Sequence, residues 1–241
     1  MSATVELTEL VPEPASGRVF ERKMRPGIAD VNGSGRAQLD AIARWVQDVA
    51  YLDSVDAGFE GYGAWIIRRM RIRVERFPRF HEDLTLRTFC AGIGRFCADR
   101  RTTIRGESAR IEAVGLWVCL DPESGRPMRF APEFVDAYSE AAAGRTANVR
   151  LRHPEPPAGA ERAGGWSFRV TDIDGADHVN NSHYWALLER DLAGGPEPET
   201  IDAEIEYREP AQPGEAVVLR DGEWTWVASP RGELHASIIR P

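Results

Sequence analysis

Long apolar runs are missing from this sequence. No stretch approaches the roughly 20 consecutive apolar residues that a membrane-spanning helix needs, so no membrane span is expected. Cysteine is scarce: the three present, Cys90, Cys97 and Cys119, cannot all pair with one another and lack zinc-site spacing, which suits a reducing compartment. The opening residues MSATVELTELVPEPASGRVF have neither the basic start nor the apolar core of a secretory signal. They are acidic before Arg18, unlike a transit peptide, so a cytoplasmic location is expected. Positive charge is in deficit, with 30 Lys and Arg against 38 Asp and Glu, a net charge of −8 that argues against general nucleic-acid binding. NGSG at residues 32–35 is glycine-rich, but no Lys-Ser/Thr follows as a phosphate loop requires. His178 and His183 do not have the spacing of helical metal ligands, and no cysteine completes a site. Neither a cofactor nor a metal is expected.

What is present describes a globular chain. Its 241 residues, 42% apolar and 28% charged, can build one large core or two small ones. The charge is unevenly spread. Residues 61–110 carry 12 Arg and 5 acids, whereas residues 161–241 carry 7 Arg and 16 acids. The plain reading of the Arg-rich stretch is a solvated strand face. The sharper reading is a docking face for an acidic partner, with Arg69, Arg71 and Arg73 as candidates, because guanidinium groups match carboxylates and phosphates geometrically.

Two stretches have helical periodicity. GRAQLDAIARWVQDVAYLDSVDAG places Leu39, Ile42, Ala43, Val46, Val49 and Ala50 three and four apart and ends near Gly58. NNSHYWALLERDLAGG does the same with Tyr184, Leu187, Leu188 and Leu192, and Gly194-Gly195 reads as its stop. Each is followed by strand-like runs, four in each half, separated by turns such as RGESAR, DG and PRG. The Ala-, Pro- and Gly-rich stretch between the halves reads as a linker. The helix entrances echo one another, ADVNGSGRAQLDAIARW against TDIDGADHVNNSHYWALLERD. An internal repeat of roughly a hundred residues follows, each copy an α+β unit with one long helix across a curled antiparallel sheet.

Several stretches carry a resemblance to a known family. WIIRRMRIRVERFPRFHEDLTLRTFCAGIGRFCADR, GLWVCLDPESGRPMRFAPEF, TDIDGADHVNNSHYWALLERDL and IEYREPA together resemble the acyl-acyl-carrier-protein (acyl-ACP) thioesterases of plants and bacteria. The resemblance implies a double hotdog: an N-terminal hotdog over residues 1–145 holding the acyl-chain pocket, a linker over 146–165, and a C-terminal hotdog over 166–241 holding the catalytic loop. It implies hydrolysis of acyl-ACP, or of acyl-CoA, with release of free fatty acid. A non-catalytic acyl or acyl-carrier-binding hotdog protein is the alternative, and a hotdog dehydratase a third reading. A homodimer of the whole chain stays open.

Thioester hydrolysis needs a base to activate water and donors where negative charge develops on the carbonyl oxygen. A helix N-terminus supplies such donors in its unpaired N–H groups. By resemblance, the family's aspartate and histidine fall on Asp174 and His178. Its asparagine falls on Ala176, which has no side-chain donor or acceptor. Its second element begins at Glu206, Tyr207 and Arg208, and its cysteine position becomes Ala211, so a thiol mechanism is excluded. Asp177 and Glu209 are candidates to assist, and Asn180 and Asn181 to cap the helix and contact substrate.

Overall fold

Arginine and apolar residues alternate through the first long strand of the chain, and burial follows the alternation. Met70, Ile72 and Val74 are buried in the main core, while Arg71 and Arg73 lie on the opposite side. The structure is a computed structural model and describes residues 6–193 and 195–241. Among these are ten strands: β1 Phe20–Met24, β2 Ala64–Arg76, β3 Leu84–Ile93, β4 Cys97–Arg105, β5 Arg110–Leu120, β6 Glu161–Phe168, β7 Ile201–Tyr207, β8 Gly214–Asp221, β9 Trp224–Ala228 and β10 Leu234–Ile239. They form one antiparallel sheet in the order β1-β3-β4-β5-β2-β7-β10-β9-β8-β6. Counted outward from the β2–β7 seam, the two halves have the same topology, so a pseudo-two-fold axis passes between β2 and β7. Each half is the long-helix-on-sheet unit that the periodicities imply.

Helix α1 (Leu39–Asp56) buries its expected stripe and ends at Ala57, followed by Gly58 at φ +83°. Helix α3 (His183–Leu192) buries Tyr184, Trp185, Leu187 and Leu188. Of its expected stop, Gly194 lies outside the described residues. Both helices pack into the same core on one face of the sheet. A further helix, α2 (Pro132–Ala142), has no counterpart in the second half and packs Phe134 and Tyr138 against Cys90 and Ala98. No helix among the described residues is long and apolar enough to cross a membrane.

The stretch read as a linker has no helix or strand from residue 146 to residue 160, and β6 begins at Glu161, inside the range read as linker. The reason lies in β6 itself, whose Trp166 packs against the core and whose Phe168 is buried in it. Residues before Glu161 are held across the face turned away from the helices. Glu206 accepts hydrogen bonds from the N–H groups of Arg152 (2.8 Å) and His153 (2.9 Å). Glu204 accepts from the N–H of Thr8 (2.8 Å) and contacts His153 Nε2 at 3.3 Å.

The same face corrects the docking expectation for two arginines. Arg69 is buried, donates Nε to Glu206 (2.9 Å) and donates Nη2 to the Arg150 carbonyl (2.6 Å). Arg71 grips Asp202 through two hydrogen bonds of 2.8 and 2.7 Å. Neither has a guanidinium left for an external carboxylate; of the three candidates only Arg73 is half exposed, 3.7 Å from Glu75. The Arg excess of the first half and the acid excess of the second meet inside the sheet.

Removing Arg69 leaves Glu206 buried beside fewer donors. Arg69→Ala is expected to cost about 3–5 kcal/mol in urea unfolding, against less than about 0.5 kcal/mol for Arg73→Ala. Burial alone would raise the Glu204 carboxyl, but hydrogen bonds from His153 and Thr8, with the charge of Arg69, outweigh it and hold the group at about 2. A folded-state value below the unfolded one stabilises fully above the unfolded value and is lost as pH falls. Wild-type stability should therefore drop between about pH 4.5 and 2, and Glu204→Gln should flatten that drop in an acid titration followed by circular dichroism.

Candidate active site

The polar loop before α3 is a tight, self-bonded turn. Arg169 N–H donates to the Asp172 carboxylate (2.8 Å), closing a 3-10 turn over Val170–Asp172. Asp172 carbonyl then accepts from Asn180 N–H (2.9 Å), and His178 carbonyl accepts from Asp174 N–H (3.0 Å). Inside this frame the Asp174 carboxylate accepts from the Ala176 N–H (2.8 Å) on one oxygen and from Asn180 Nδ2 (2.8 Å) on the other. Asn180 Oδ1 in turn caps the Ser182 N–H at 2.9 Å. One asparagine thus links the carboxylate to the start of α3.

Tyr207 secures that start from the sheet side. Its hydroxyl donates to the Asn181 carbonyl (3.2 Å) and accepts from Trp185 Nε1 (3.0 Å). Burial pushes the Tyr207 hydroxyl well above its usual range, so it stays a neutral donor. Ala211, at the position of the family cysteine, is buried, and its carbonyl accepts the Val179 N–H (2.9 Å). That position braces the loop through backbone alone.

Of the expected residues, the loop brings Asp174 and Asn180 together and places half-buried His178 in the same turn. His178 Nδ1 contacts only the Val179 carbonyl, at 3.4 Å, and its Nε2 meets no partner among the described residues. Asp177 and Glu209 are exposed; the Asp177 N–H donates to the Asp174 carbonyl (3.1 Å), but neither carboxylate bonds to the Asp174 side chain. Asp177 has a conformational reason to be where it is. Its φ is +61°, and the matching position of the first-half loop is Gly35 at φ +80°. The turn needs a left-handed residue there, and aspartate tolerates that region better than most.

The first-half loop repeats the backbone bonding of the second, 142 positions earlier (Asp30 against Asp172). Gly27 N–H donates to Asp30 (2.8 Å), Asn32 N–H to the Arg36 carbonyl (2.9 Å), and Gln38 N–H to the Asp30 carbonyl (2.9 Å). Val31 bridges Ala37 as Ile173 bridges Val179.

A chamber of about 350 Å³ lies beside the second-half loop, walled by α1, the first-half sheet and α2. Trp65, Cys90, Ala98, Trp117 and Phe134 give it an apolar lining, to which Arg100, paired with Asp53 and stacked on Tyr138, and Asp48 add charge. Gln47 of α1 both lines the chamber and meets the Asn180 amide at 3.4 Å. Sequence reasoning missed Gln47 because its partner is 133 residues away; its one signal is a polar side chain on a helix whose neighbours are core. Gln212, which donates to the Asp177 carbonyl (2.8 Å), was missed likewise.

Burial pushes the thiols of Cys90, Cys97 and Cys119 up to about 11, so none is a ready nucleophile. The one candidate metal cluster among the described residues, His153 with Glu204 and Glu206, is on the other face of the sheet. Its carboxylates are engaged by Thr8, Arg152, His153 and the Arg69 guanidinium, a cation that disfavours a second one. The cluster fits a clasp for the connecting segment rather than a metal.

Comparison with known proteins decides the family. The model of the acyl-ACP thioesterase N-terminal domain matches residues 17–138, and that of the C-terminal domain matches residues 158–228. The chain belongs to the acyl-ACP thioesterase family. It is 29% identical over 217 residues to an uncharacterized protein of Mycobacterium tuberculosis, covering 88% of this chain and 85% of that one. To the chloroplastic oleoyl-acyl carrier protein thioesterase of Coriandrum sativum it is 24% identical over 246 residues, covering 90% of this chain and 66% of that protein. An acyl-ACP thioesterase structure from Bacteroides thetaiotaomicron superposes with a TM-score of 0.73 at 17% identity, over 92% of this chain and 96% of that one. The 12:0-ACP thioesterase from Umbellularia californica gives 0.69 at 16% identity, over 98% of each chain. At such identities the likeness shows the fold, a tandem α+β hotdog.

Within the family frame, the turn role of Asp177 has its own test. Asp177→Gly removes the left-handed penalty and should raise stability by up to about 1 kcal/mol in urea unfolding while leaving turnover unchanged. A marked loss of turnover would assign the carboxylate to the chemistry instead.

Proposed function

We propose that this acyl-ACP thioesterase family member hydrolyses the thioester of a fatty acyl-ACP, releasing free fatty acid and the carrier's thiol, with acyl-CoA as a second thioester source. The observation that carries this reading is the junction at Gln47, where an apolar chamber of about 350 Å³ meets the Asp174–Asn180 loop. From Gln47 to Ser54 the chamber follows α1 over roughly 10 Å of helix. An acyl chain laid along that wall leaves its thioester at the loop and the start of α3.

The residues divide the chemistry as follows. Asp174, held by two donors, anchors the loop and offers its carboxylate edge to water. His178 takes the proton from that water through Nε2 as the oxygen bonds to the carbonyl carbon. The C–S bond then breaks, and the same proton passes to the leaving sulfur. The start of α3 faces the carbonyl oxygen with its N–H groups. Asp177 and Glu209 stand off from this centre and act, at most, through the field of their charges. Backbone atoms of Ala176 and Ala211 replace family side chains by holding the loop's shape.

Release of free thiol from a panel of acyl-ACP and acyl-CoA substrates tests the reaction. Turnover of the wild type is expected, with Asp174→Ala and His178→Ala each lowering kcat about 100-fold or more. Tight acyl-ACP binding without thiol release across the panel would favour the acyl-binding alternative. Unchanged rates in both variants would displace the chemistry from this loop.

A further inference from the structure

The two helix entrances share a backbone, but their crossing contacts differ. At the first entrance, Glu189 reaches over from α3 of the other half. Its carboxylate accepts the Leu39 N–H (3.1 Å), at the start of α1, and pairs with buried Arg36. The same offset that matches Asp30 to Asp172 matches Leu39 to Asn181, Arg36 to His178 and Gln47 to Glu189. Gln47 accordingly crosses from α1 to the second entrance, where it meets Asn180. The Asn181 N–H, counterpart of the Leu39 N–H, has no acceptor among the described residues. The first entrance therefore displays, in its own Glu189 carboxylate, an oxygen seated on the helix-start amide. At the second entrance the matching amide, in the turn just before α3, stays open, and the side chain that crosses over is neutral.

We propose that Gln47 is a catalytic residue: its side-chain N–H and the Asn181 N–H together receive the carbonyl oxygen of the acyl thioester and hold it as negative charge develops. This rests on the thioester-hydrolysis reading above. The choice of amide over carboxylate follows from charge. A glutamate at 47 would take the helix-start amide for itself, as Glu189 does, and repel the developing oxyanion. Glutamine instead offers a donor that needs no counter-ion. Its place in the chamber wall adds orientation, since a chain entering the chamber passes Gln47 with its first carbons and leaves the carbonyl beside it. The two donors come from different halves of the chain, so the oxyanion site exists only because the halves are joined at the β2–β7 seam.

The test uses thiol release by the full chain with Gln47→Ala and Gln47→Glu, both checked for a wild-type urea midpoint. Gln47→Ala should lower kcat about 100-fold or more, as loss of an oxyanion donor does, with KM within about threefold of wild type. Gln47→Glu separates this role from a structural one. Glutamate keeps the acceptor for Asn180 Nδ2 but loses the donor, so it should be as slow as the alanine variant. Wild-type kcat in Gln47→Ala, or recovery of the rate in Gln47→Glu, would overturn the assignment while leaving hydrolysis standing. A wild-type protein inert toward every thioester would overturn hydrolysis itself, and this role with it.

Discussion

The antiparallel pairing of β2 with β7 is the constraint on which the rest of the molecule depends. It joins two five-stranded halves into one sheet and sets the axis that relates them. Its polar face is charge-matched: Arg69 lies opposite Glu206 and pairs with it, and Arg71 reaches diagonally to Asp202. Buried charges are costly unless paired, so this matching disfavours any register that would strand Arg69 or Glu206. Glu204, between those two acids on the same strand face, holds Thr8, and Glu206 holds the segment before β6. Registry of the seam, placement of the connecting chain and relative position of the halves are thus one electrostatic solution.

From that axis it follows that each long helix leans on the other half's loop. Symmetry would make two equal entrances, and the side chains have broken it. Arg36 fills the first entrance with a guanidinium stacked on Phe77 and neutralised by Glu189. Asn32 and Ser34 add hydrogen bonds to Glu197, closing the entrance further. In the second, a neutral glutamine and a half-buried histidine occupy the matching places, and among the described residues no arginine–carboxylate pair like Arg36–Glu189 crosses between the halves there. The extra helix α2 adds to the asymmetry, because it walls the chamber only on the first-half side. One closed entrance and one open entrance beside an apolar chamber are the outcome of a duplicated fold with divergent charges.

Much of the fold was legible because period reports burial. The stripe from Leu39 to Ala50 and the alternation from Met70 to Val74 each depend on neighbours within a few residues. The duplicated entrances were legible for the same reason, since their turns are local. Helix α2 was less visible: its start has Pro132 but no side-chain cap, and it sits in an Ala- and Pro-rich stretch that resembles a connection. Phe134, Tyr138 and Ala141 carried the helical spacing all the same. The arginines of β2 misled because composition registers an excess of charge and is blind to the acids 131 and 137 positions away that absorb it. At the candidate site, the motif points to Asp174 and His178 but not to Gln47, whose contact with Asn180 arises across the pseudo-symmetry axis. Asp177 reads as chemistry because carboxylates near a histidine often are; its backbone angle gives it a turn role that the sequence pattern does not display.

Helix α1 links these levels. Its apolar stripe fills the main core, its edge from Gln47 to Ser54 walls the chamber, and Gln47 touches the loop of the other half. Near its C-terminal end Asp53 is buried and held by both Arg18 and Arg100, while Asp40 in its first turn pairs with Arg44. A helix packed along one side and pinned by buried charge near its end has little freedom to slide, because close-packed cores resist displacement. The polar contact at Gln47 is therefore set by the core rather than by the loop it serves. Preorganised donors are effective because they need not move when charge develops. Stability and the proposed chemistry draw on the same helix, which is why a site assembled from two distant segments can be held by so few polar contacts.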